Sequence, residues 1–285
     1  MNRIVMAEIG ILNELKVVKI VNFGVYLDGG GLGEILLPNR YVPKPCEVDD
    51  VLRVFVYTDS EDRVIATTET PYAMVGDFAL LKVVSVNSVG AFLGWGLPKD
   101  LLVPFSEQNT TMREGGSYLV RVYLDDRTHR IAASSKLDNF LNREPPSFQT
   151  AQEVELLIAG KTDIGYKAII DGSHSGVLHH NEVFQRLRVG QKTKGFIKKI
   201  RDDGKIDLCL HLPGYEKVMD LTETILKVLK DKGGFIPVTD KSPTDIIYNW
   251  FNVSKKTYKK AVGAIYKRRL ITIEDNGIRL NETPS

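Results

Sequence analysis

The feature that most constrains this chain is a short glycine-centred segment that occurs three times. The glycine is Gly24 in Asn-Phe-Gly-Val-Tyr-Leu, Gly90 in Ser-Val-Gly-Ala-Phe-Leu and Gly165 in Asp-Ile-Gly-Tyr-Lys-Ala. Gly90 follows Gly24 by 66 residues, and Gly165 follows Gly90 by 75. Tandem copies of one unit should keep these offsets at later landmarks, and three landmarks do so. They are Leu36-Leu37-Pro38 with Leu102-Val103-Pro104 and Val177-Leu178-His179, Val54-Phe55-Val56 with Val120-Arg121-Val122 and Gly195-Phe196-Ile197, and Ile65-Ala66 with Ile131-Ala132 and Ile206-Asp207.

Each copy reads as a strand, a glycine-containing strand, a loop, an alternating strand, a polar turn and a closing strand. Five short strands in about 60–70 residues are typical of a small closed barrel. The glycine in the second strand accepts a bend without a Cβ clash. In the third copy, Gly-Val-Leu-His before an Asp-Gly-Lys-Ile hairpin makes the segment Val154–Leu210 similar to an S1-type RNA-binding motif, one of the oligonucleotide-binding (OB) barrels.

After Pro213 the apolar period changes from that of strands to that of helices. Helices are predicted from Tyr215 to Lys232, from about Ser242 with Ser242 as cap and Pro243 in the first turn, and from Ser254 to Arg269. Asn276-Gly277 then predicts a type I′ hairpin. Three helices and a hairpin are typical of a winged helix, whose third helix is the usual groove-reading element.

The predicted fold is therefore multidomain and mainly β, with three tandem S1-type OB barrels followed by an α/β winged-helix domain. Pro- and Gly-containing breaks divide it into 1–70 (barrel 1), 71–143 (barrel 2), 144–213 (barrel 3) and 214–285 (winged helix).

Composition limits where a polyanion could bind. Lys and Arg number 38 against 36 Asp and Glu, a formal charge of +2, so a nucleic-acid site must come from local clustering. A hydrophobic content of 43% excludes a disordered chain. There is no apolar run of the ~18 residues that span a bilayer and no signal-peptide core, and Cys46 and Cys209 form no disulfide framework. A cytoplasmic protein is expected.

Three S1-like barrels with a C-terminal winged helix resemble one family, the conserved virulence factor B (CvfB, also called YitL) proteins of bacteria. The markers are Asp163-Ile164-Gly165-Tyr166-Lys167-Ala168-Ile169, Gly190-Gln191 followed by Gly195-Phe196-Ile197-Lys198-Lys199-Ile200-Arg201, and Ser254-Lys255-Lys256-Thr257-Tyr258-Lys259-Lys260-Ala261-Val262-Gly263. The resemblance implies RNA binding and a part in regulating gene expression.

The S1 resemblance also implies a binding face made of aromatic residues around the glycine and a histidine in the following strand. Barrel 1 has Phe23 and Tyr26 but Pro38 in place of the histidine, and barrel 2 keeps only Phe92. Barrel 3 has His179, with Ile164 and Lys167 at the aromatic positions. No single copy carries the full set.

Strand and helix periods add further candidates. If Val54 and Val56 point inward, Arg53 and Phe55 point outward, and the same rule exposes a Lys-Phe-Lys stripe in barrel 3. Lysines of the third helix lie away from its apolar line. The candidate nucleic-acid-binding residues are Phe23, Tyr26, Arg53, Phe55, Phe92, Lys167, His179, Lys194, Phe196, Lys198, Lys255, Lys256, Lys259, Lys260 and Arg268.

Competing interpretations stay open for these residues. Tyr26 and Phe55 could equally cover a barrel core or an interdomain seam, His179 could be a satisfied loop residue, and a basic stripe could be a solvated face. Catalytic patterns fail: Gly160-Lys161-Thr162 lacks the leading glycine of a phosphate loop, and the histidines lack metal-site spacing. Neither catalytic residues, a metal site nor a cofactor is predicted.

The sequence thus predicts a non-catalytic protein that binds single-stranded RNA through its barrels, with the basic winged helix adding affinity, in post-transcriptional regulation. The alternative is a DNA-binding transcription regulator that uses the winged helix, with the barrels as protein-interaction modules. A third hypothesis makes the basic helix a dock for a protein or the ribosome.

Overall fold

The structure is a computed structural model that describes residues 6–142, 144, 146–180, 183, 186–211 and 215–281, with the backbone alone at 215–220. The chain divides into two compact units, Met1–Asn142 and Arg143–Ser285. The first unit holds barrels 1 and 2, and the second holds barrel 3 and the winged helix. The predicted domain divisions at 143, 145 and 212–214 lie outside the described residues.

The three predicted barrels are present, and they share one strand order. In barrel 1 the closed order is β1-β2-β3-β5-β4, and barrel 3 closes in the same way as β11-β12-β13-β15-β14. Barrel 2 has the equivalent order β10-β9-β6-β7-β8, with β8 and β10 side by side at the seam. The strands of barrel 1 are β1 Leu12–Val21, β2 Gly24–Asp28, β3 Glu34–Pro38, β4 Val51–Thr58 and β5 Val64–Thr67. Those of barrel 2 are β6 Phe78–Val86, β7 Gly90–Gly94, β8 Leu101–Pro104, β9 Ser117–Leu124 and β10 Ile131–Ser134, and those of barrel 3 are β11 Glu153–Thr162, β12 Gly165–Ile170, β13 His174–His179, β14 Lys192–Ile200 and β15 Ile206–Cys209.

A register shift in the first strand of each barrel supports the repeat independently of the glycines. The shift falls between Val17 and Lys19 in β1, at the equivalent place in β6, and between Ile158 and Gly160 in β11. A β-bulge bends and twists a long strand, so one strand can pair with both of its neighbours around a small barrel.

The predicted alignment of the closing strands is wrong by one residue. Val56 pairs with Ala66 in barrel 1, whereas the equivalent Val122 pairs with Ala133 and Ile197 with Leu208. In barrel 2 the extra residue lies in the turn between Leu124 and Ile131, and in barrel 3 it is a bulge in β14 between Ile197 and Lys199. Neither place is set by the inward-facing residues that define the repeat, which explains why the offsets fail there.

Barrels 1 and 2 share part of their apolar packing. Phe55 on β4 is 0% exposed and packs in the same cluster as Trp95 and the core of barrel 2. Its ring lies 6.0 Å from that of Tyr57 and 5.8 Å from that of Trp95. The alternation rule placed Phe55 correctly outside barrel 1, but barrel 2 covers that face. Its prediction as a nucleic-acid contact is wrong, and the interdomain-seam interpretation is the correct one.

Polar contacts strengthen the same junction. The Lys99 ammonium of barrel 2 donates to the carbonyl oxygens of Thr58 at 3.1 Å and Asp59 at 2.6 Å in barrel 1. Arg130 forms an ion pair with Asp62 across the junction. Partial burial lowers the pKa of the Lys99 ammonium. The two barrels are therefore joined through both apolar and polar contacts.

The winged-helix domain also has the predicted order, with one extra strand. It contains α1 Tyr215–Asp231, β16 Phe235–Ile236, α2 Thr244–Phe251, α3 Lys255–Lys267, β17 Ile271–Glu274 and β18 Gly277–Leu280, with the sheet order β16-β18-β17. Ile225, Ile247 and Tyr258 lie in its core, where the Tyr258 hydroxyl donates to the Val238 carbonyl at 3.0 Å.

The ends of α2 and α3 differ in how they are capped. Ser254, where the third helix was predicted to start, caps α3, since its hydroxyl accepts from the Thr257 amide at 3.1 Å. Ser242 does not cap α2. Its hydroxyl accepts instead from the Thr239 amide at 2.8 Å, and Pro243 occupies the cap position. Among the described residues, no helix has the length and apolar content to cross a membrane.

Candidate nucleic-acid interface

The repeated glycine fixes the start of the second strand in each barrel. A Cβ on Gly24 would lie 2.3 Å from the Leu37 carbonyl oxygen, and one on Gly165 would lie 2.0 Å from that of Leu178. The glycine is needed because the neighbouring strand approaches too closely for a side chain. This requirement is additional to any bend that the glycine allows in the strand. This contact places the residue before the glycine in the turn, and the second residue after it on the outer face of the strand.

Barrel 1 uses both of these positions for aromatic rings. Phe23 is 58% exposed, and its ring lies 6.4 Å from the half-buried ring of Tyr26 in an edge-on arrangement. Lys19 pairs with Tyr26 across the ladder, and its ammonium lies 5.8 Å from the centre of the tyrosine ring. This cluster of Phe23, Tyr26 and Lys19, here called the ring platform, combines two stacking surfaces with a cation.

The turn that carries Phe23 is held in place by Asn39. The Asn39 amide group donates to the Asn22 carbonyl at 2.6 Å, and the Asn39 backbone N–H donates to the Phe23 carbonyl at 3.0 Å. These two bonds fix the backbone under an exposed ring. Lys19 and Asn39 were missed from sequence, since their roles follow from strand register and loop contact.

Barrel 2 presents a weaker version of the platform. Phe92 is half-buried, and the residue opposite it in the ladder is Ser85. Arg121, which matches Phe55 in position, lies with its guanidinium 4.6 Å from the ring of Phe78. Burial lowers the pKa of the Arg121 guanidinium. At the platform positions barrel 2 therefore offers one ring, and the Arg121 cation is already packed against the ring of Phe78.

Barrel 3 places a polar network where barrel 1 has Pro38. His179 Nε2 lies 2.9 Å from Asp207 Oδ1, and Arg201 holds the same carboxylate with Nε at 2.9 Å from Oδ2 and Nη2 at 2.6 Å from Oδ1. The hydrogen bonds from Arg201, followed by that with His179, hold the pKa of the Asp207 carboxyl below its usual range. His179 is thus oriented by its neighbours.

Sequence reasoning missed Arg201 and Asp207. They flank the Asp202-Asp203-Gly204 turn, and the Arg201 amide donates to the Lys205 carbonyl at 2.8 Å, which closes the hairpin. Pairing across that turn was the signal that could have found them. At the ring positions, Ile164 is 55% exposed and Lys167 is half-buried.

The predicted Lys-Phe-Lys stripe lies on β14 beside acidic residues of β11. Glu153 pairs with Phe196 and Glu155 with Lys194 across the ladder, and the Lys194 ammonium lies 2.6 Å from a Glu153 carboxylate oxygen. Phe196 and Lys198 are half-buried. The stripe has the predicted direction, but the charge of Lys194 is compensated. Arg53, at the position of Lys194 in barrel 1, is exposed.

The candidate cations of the winged helix differ in their surroundings. Lys255 donates to the Lys241 carbonyl at 3.0 Å, and Lys259 lies 3.8 Å from Asp240. Lys256, Lys260 and Arg268 are exposed. In the hairpin, Arg279 is held by Glu274 at 2.6 Å. Among these described cations of the winged-helix domain, Lys256, Lys260 and Arg268 of α3 and its C-terminal end have no ion-pair partner.

Within the described ranges no three His, Cys, Asp or Glu side chains come together in a way that could hold a metal ion. Cys46 and Cys209 are not joined in a disulfide.

Comparisons with known proteins agree with this architecture. Residues 9–69 match the S1 domain family, and residues 223–280 match the CvfB-like winged helix domain family. The chain is 28% identical over 269 residues to the uncharacterized protein YitL of Bacillus subtilis (strain 168), covering 90% of this chain and 88% of YitL. It is 25% identical over 243 residues to conserved virulence factor B of Staphylococcus aureus (strain N315), covering 83% of this chain and 81% of that protein.

A solved structure is similar over most of the chain. It is a multidomain protein with nucleic acid binding domains from Streptococcus pneumoniae TIGR4, 22% identical, with 95% of this chain and 97% of that chain covered and a TM-score of 0.40. The resemblance drawn from the sequence is confirmed by the two domain matches and by the relatives. Over most of its length the chain is similar to conserved virulence factor B and YitL, and it matches the S1 domain family and the CvfB-like winged helix domain family.

Proposed function

We propose that this protein is a non-catalytic RNA-binding protein of the cytoplasm that takes single-stranded RNA on its barrels and acts in post-transcriptional regulation of gene expression. The winged helix adds affinity through its cations. The observation that carries the proposal is the ring platform of barrel 1, where Phe23 is 58% exposed beside Tyr26 and Lys19. The S1 domain match over residues 9–69 supports the broader class, nucleic-acid binding.

The chemistry of the platform suits an unpaired strand better than a duplex. A base can stack on an aromatic ring only when it is not already stacked and paired, and each such contact is worth about 1–3 kcal/mol. Lys19 lies close enough to the Tyr26 ring to contact the phosphate of a base stacked there. Each barrel has only part of the full set of aromatic residues and histidine that the S1 resemblance implies, so useful affinity requires several domains to bind one RNA strand. Binding by one domain then raises the effective concentration of the strand at the next.

The test is fluorescence anisotropy with a labelled single-stranded RNA of about 20 nucleotides and a titration of salt. The wild-type chain should bind with an affinity that falls as salt rises, since lysines release counterions from the phosphates. The double variant Phe23→Ala with Tyr26→Ala should bind about 10- to 100-fold more weakly. Tyr72→Ala removes an exposed ring outside the platform and is the matched control.

Absence of salt-sensitive RNA binding below ~100 µM would remove the proposal. Equal losses in the platform variant and in Tyr72→Ala would show that the rings act nonspecifically, and would also count against it.

A second candidate function is favoured by α3 alone. A winged helix that reads duplex DNA would make the protein a transcription regulator, with the barrels as protein-interaction modules. Competition between duplex DNA and single-stranded RNA for the full chain separates the two functions. Preference for the duplex, with no effect of the platform variant, would support this second candidate.

A further inference from the structure

Gly263 is a glycine in the interior of α3. It follows Lys256 by seven residues and Lys260 by three, and it precedes Lys267 by four. Residues with these spacings lie on one face of a helix. The opposite face carries Tyr258, Ala261, Val262 and Ile265, all buried in the core of the domain. Lys256, Lys260, Gly263 and Lys267, here called the α3 stripe, therefore face outward.

Among the residues that the structure describes, no neighbour requires a glycine at this position. A Cβ built on Gly263 meets no atom within 4 Å, unlike one on Gly24, which would meet a carbonyl oxygen at 2.3 Å. The helix continues regularly on both sides, from Lys255 to Lys267. Because glycine is the least favourable residue after proline in a helix interior, alanine would stabilise α3 and would fit.

The α3 stripe carries two other features that disfavour the helix locally. Lys255 and Lys256 lie in the first turn, where the helix dipole is positive, and the first turn contains no acid. Lys256 and Lys260 are like charges four residues apart, an arrangement that lowers helix stability. Several residues that lower helix stability and lie on one exposed face are expected where that face has a function.

The lysines of the stripe are available to a ligand. Within the described part of the chain, Lys256, Lys260 and Lys267 have no ion-pair or hydrogen-bond partner, whereas Lys255 and Lys259 contact Lys241 and Asp240. The stripe is thus a row of free ammonium groups with a gap between them where no side chain stands.

We propose that the α3 stripe holds the phosphodiester backbone of a nucleic acid, and that Gly263 is the point where that backbone comes into contact with the helix. The missing side chain lets the backbone approach the helix more closely than any other residue would allow. Lys260 and Lys267 then reach phosphates on either side. Tyr266, 54% exposed, lies beside the stripe and offers a ring to an adjacent base. The inference rests on the proposed function in taking nucleic acid as the ligand.

The test compares Gly263→Ala and Gly263→Gln with the wild-type full chain in RNA-binding anisotropy and in thermal unfolding. Gly263→Ala should hold or raise the Tm, because alanine favours the helix, yet weaken binding about fivefold. Gly263→Gln should weaken it further. Asn249→Ala on the exposed side of α2 also favours its helix but lies outside the stripe, so it should bind as the wild type does.

The outcomes separate this inference from the proposed function. If the wild-type chain binds no RNA, the proposed function itself fails. If the wild type binds, the platform variant is weaker and Gly263→Ala is unchanged on both single-stranded RNA and duplex DNA, the inference alone is overturned. Loss on either probe supports it and identifies the strand type that the stripe contacts.

A last arm asks whether the stripe recognises phosphodiester or any polyanion. Poly-glutamate should compete less well than RNA of equal charge, and Lys256→Gln with Lys260→Gln should lower the salt dependence of RNA binding by about two ions. Equal competition by poly-glutamate would overturn the assignment to a phosphodiester backbone.

Discussion

Barrels 1 and 3 have the same strand order, the same bulge and the same close-packed glycine, but different outer surfaces. Where barrel 1 has Phe23 and Tyr26, barrel 3 has Ile164 and Lys167. Where barrel 1 has Pro38, barrel 3 has His179 in contact with Asp207. Inward residues and the glycine therefore maintain this fold, while outward residues are free to change the chemistry of the surface.

The same comparison extends to Phe55 and Phe196, which occupy equivalent positions on the fourth strands. Phe55 is fully buried against barrel 2, and Phe196 is half-buried beside Glu153. One position therefore serves as a domain junction in barrel 1 and as a partly open surface in barrel 3.

The largest expected effect comes from truncating this position in both barrels. Phe55→Ala should destabilise the first unit by about 3–5 kcal/mol, because it leaves a cavity in a shared core. Phe196→Ala should cost less than about 1.5 kcal/mol, since its ring is only partly buried. Urea unfolding of the two full-length variants measures both values. Equal losses of unfolding free energy would show that Phe55 and Phe196 do not differ in how much they contribute to stability.

The Asp207 network should make barrel 3 sensitive to acid. The pKa of the Asp207 carboxyl is lowered in the folded state, chiefly by Arg201, so its stabilisation is present above the unfolded value of about 3.9 and is lost as pH falls through the native pKa. Asp207→Asn should cost about 1–2 kcal/mol at pH 7, because the carboxylate is 17% exposed and accepts charged hydrogen bonds.

Measuring unfolding free energy from pH 7 to pH 2 checks this prediction. The difference between the wild type and Asp207→Asn should shrink as the wild-type carboxyl becomes protonated. A difference that stays constant over this range would mean that the charge of Asp207 contributes nothing to stability.

Transferring the rings from barrel 1 to barrel 3 tests whether the outward residues determine RNA affinity. Ile164→Phe with Lys167→Tyr places two rings where the glycine turn already presents exposed or half-exposed side chains. Affinity for single-stranded RNA should rise about fivefold, the lower end expected for one added base stack. Val48→Tyr, which adds a ring to the exposed loop before β4 and outside the ring platform, is the control. An unchanged affinity in the transferred variant would show that rings alone do not make a platform.

The smallest effect is expected at Lys194. Its ammonium is already paired with Glu153, so Lys194→Gln should change RNA affinity less than twofold and leave the salt dependence unaltered. Lys256→Gln, on a lysine without such a partner, should lower the salt dependence by about one ion. A salt titration of both variants by anisotropy compares them, and equal slopes would contradict the distinction.

The sequence was sufficient for the architecture because the architecture depends on local patterns. Gly24, Gly90 and Gly165 mark the repeat, and Asn276-Gly277 marks the hairpin of the winged helix. The sequence was insufficient for Phe55, since alternation tells which side of a strand a residue faces but not what covers that side. It was also insufficient for Arg201 and Ser242, whose partners depend on turn geometry.

The joined core of barrels 1 and 2 should determine the length of oligonucleotide that binds both barrels. Because Phe55, Trp95 and Lys99 tie the two barrels together, Phe23 and Phe92 keep a constant separation. A nucleotide chain long enough to reach from one ring to the other meets two stacking sites that are held at a fixed distance. Affinity should then rise in a step at one oligonucleotide length, where two flexibly linked barrels would give a gradual increase.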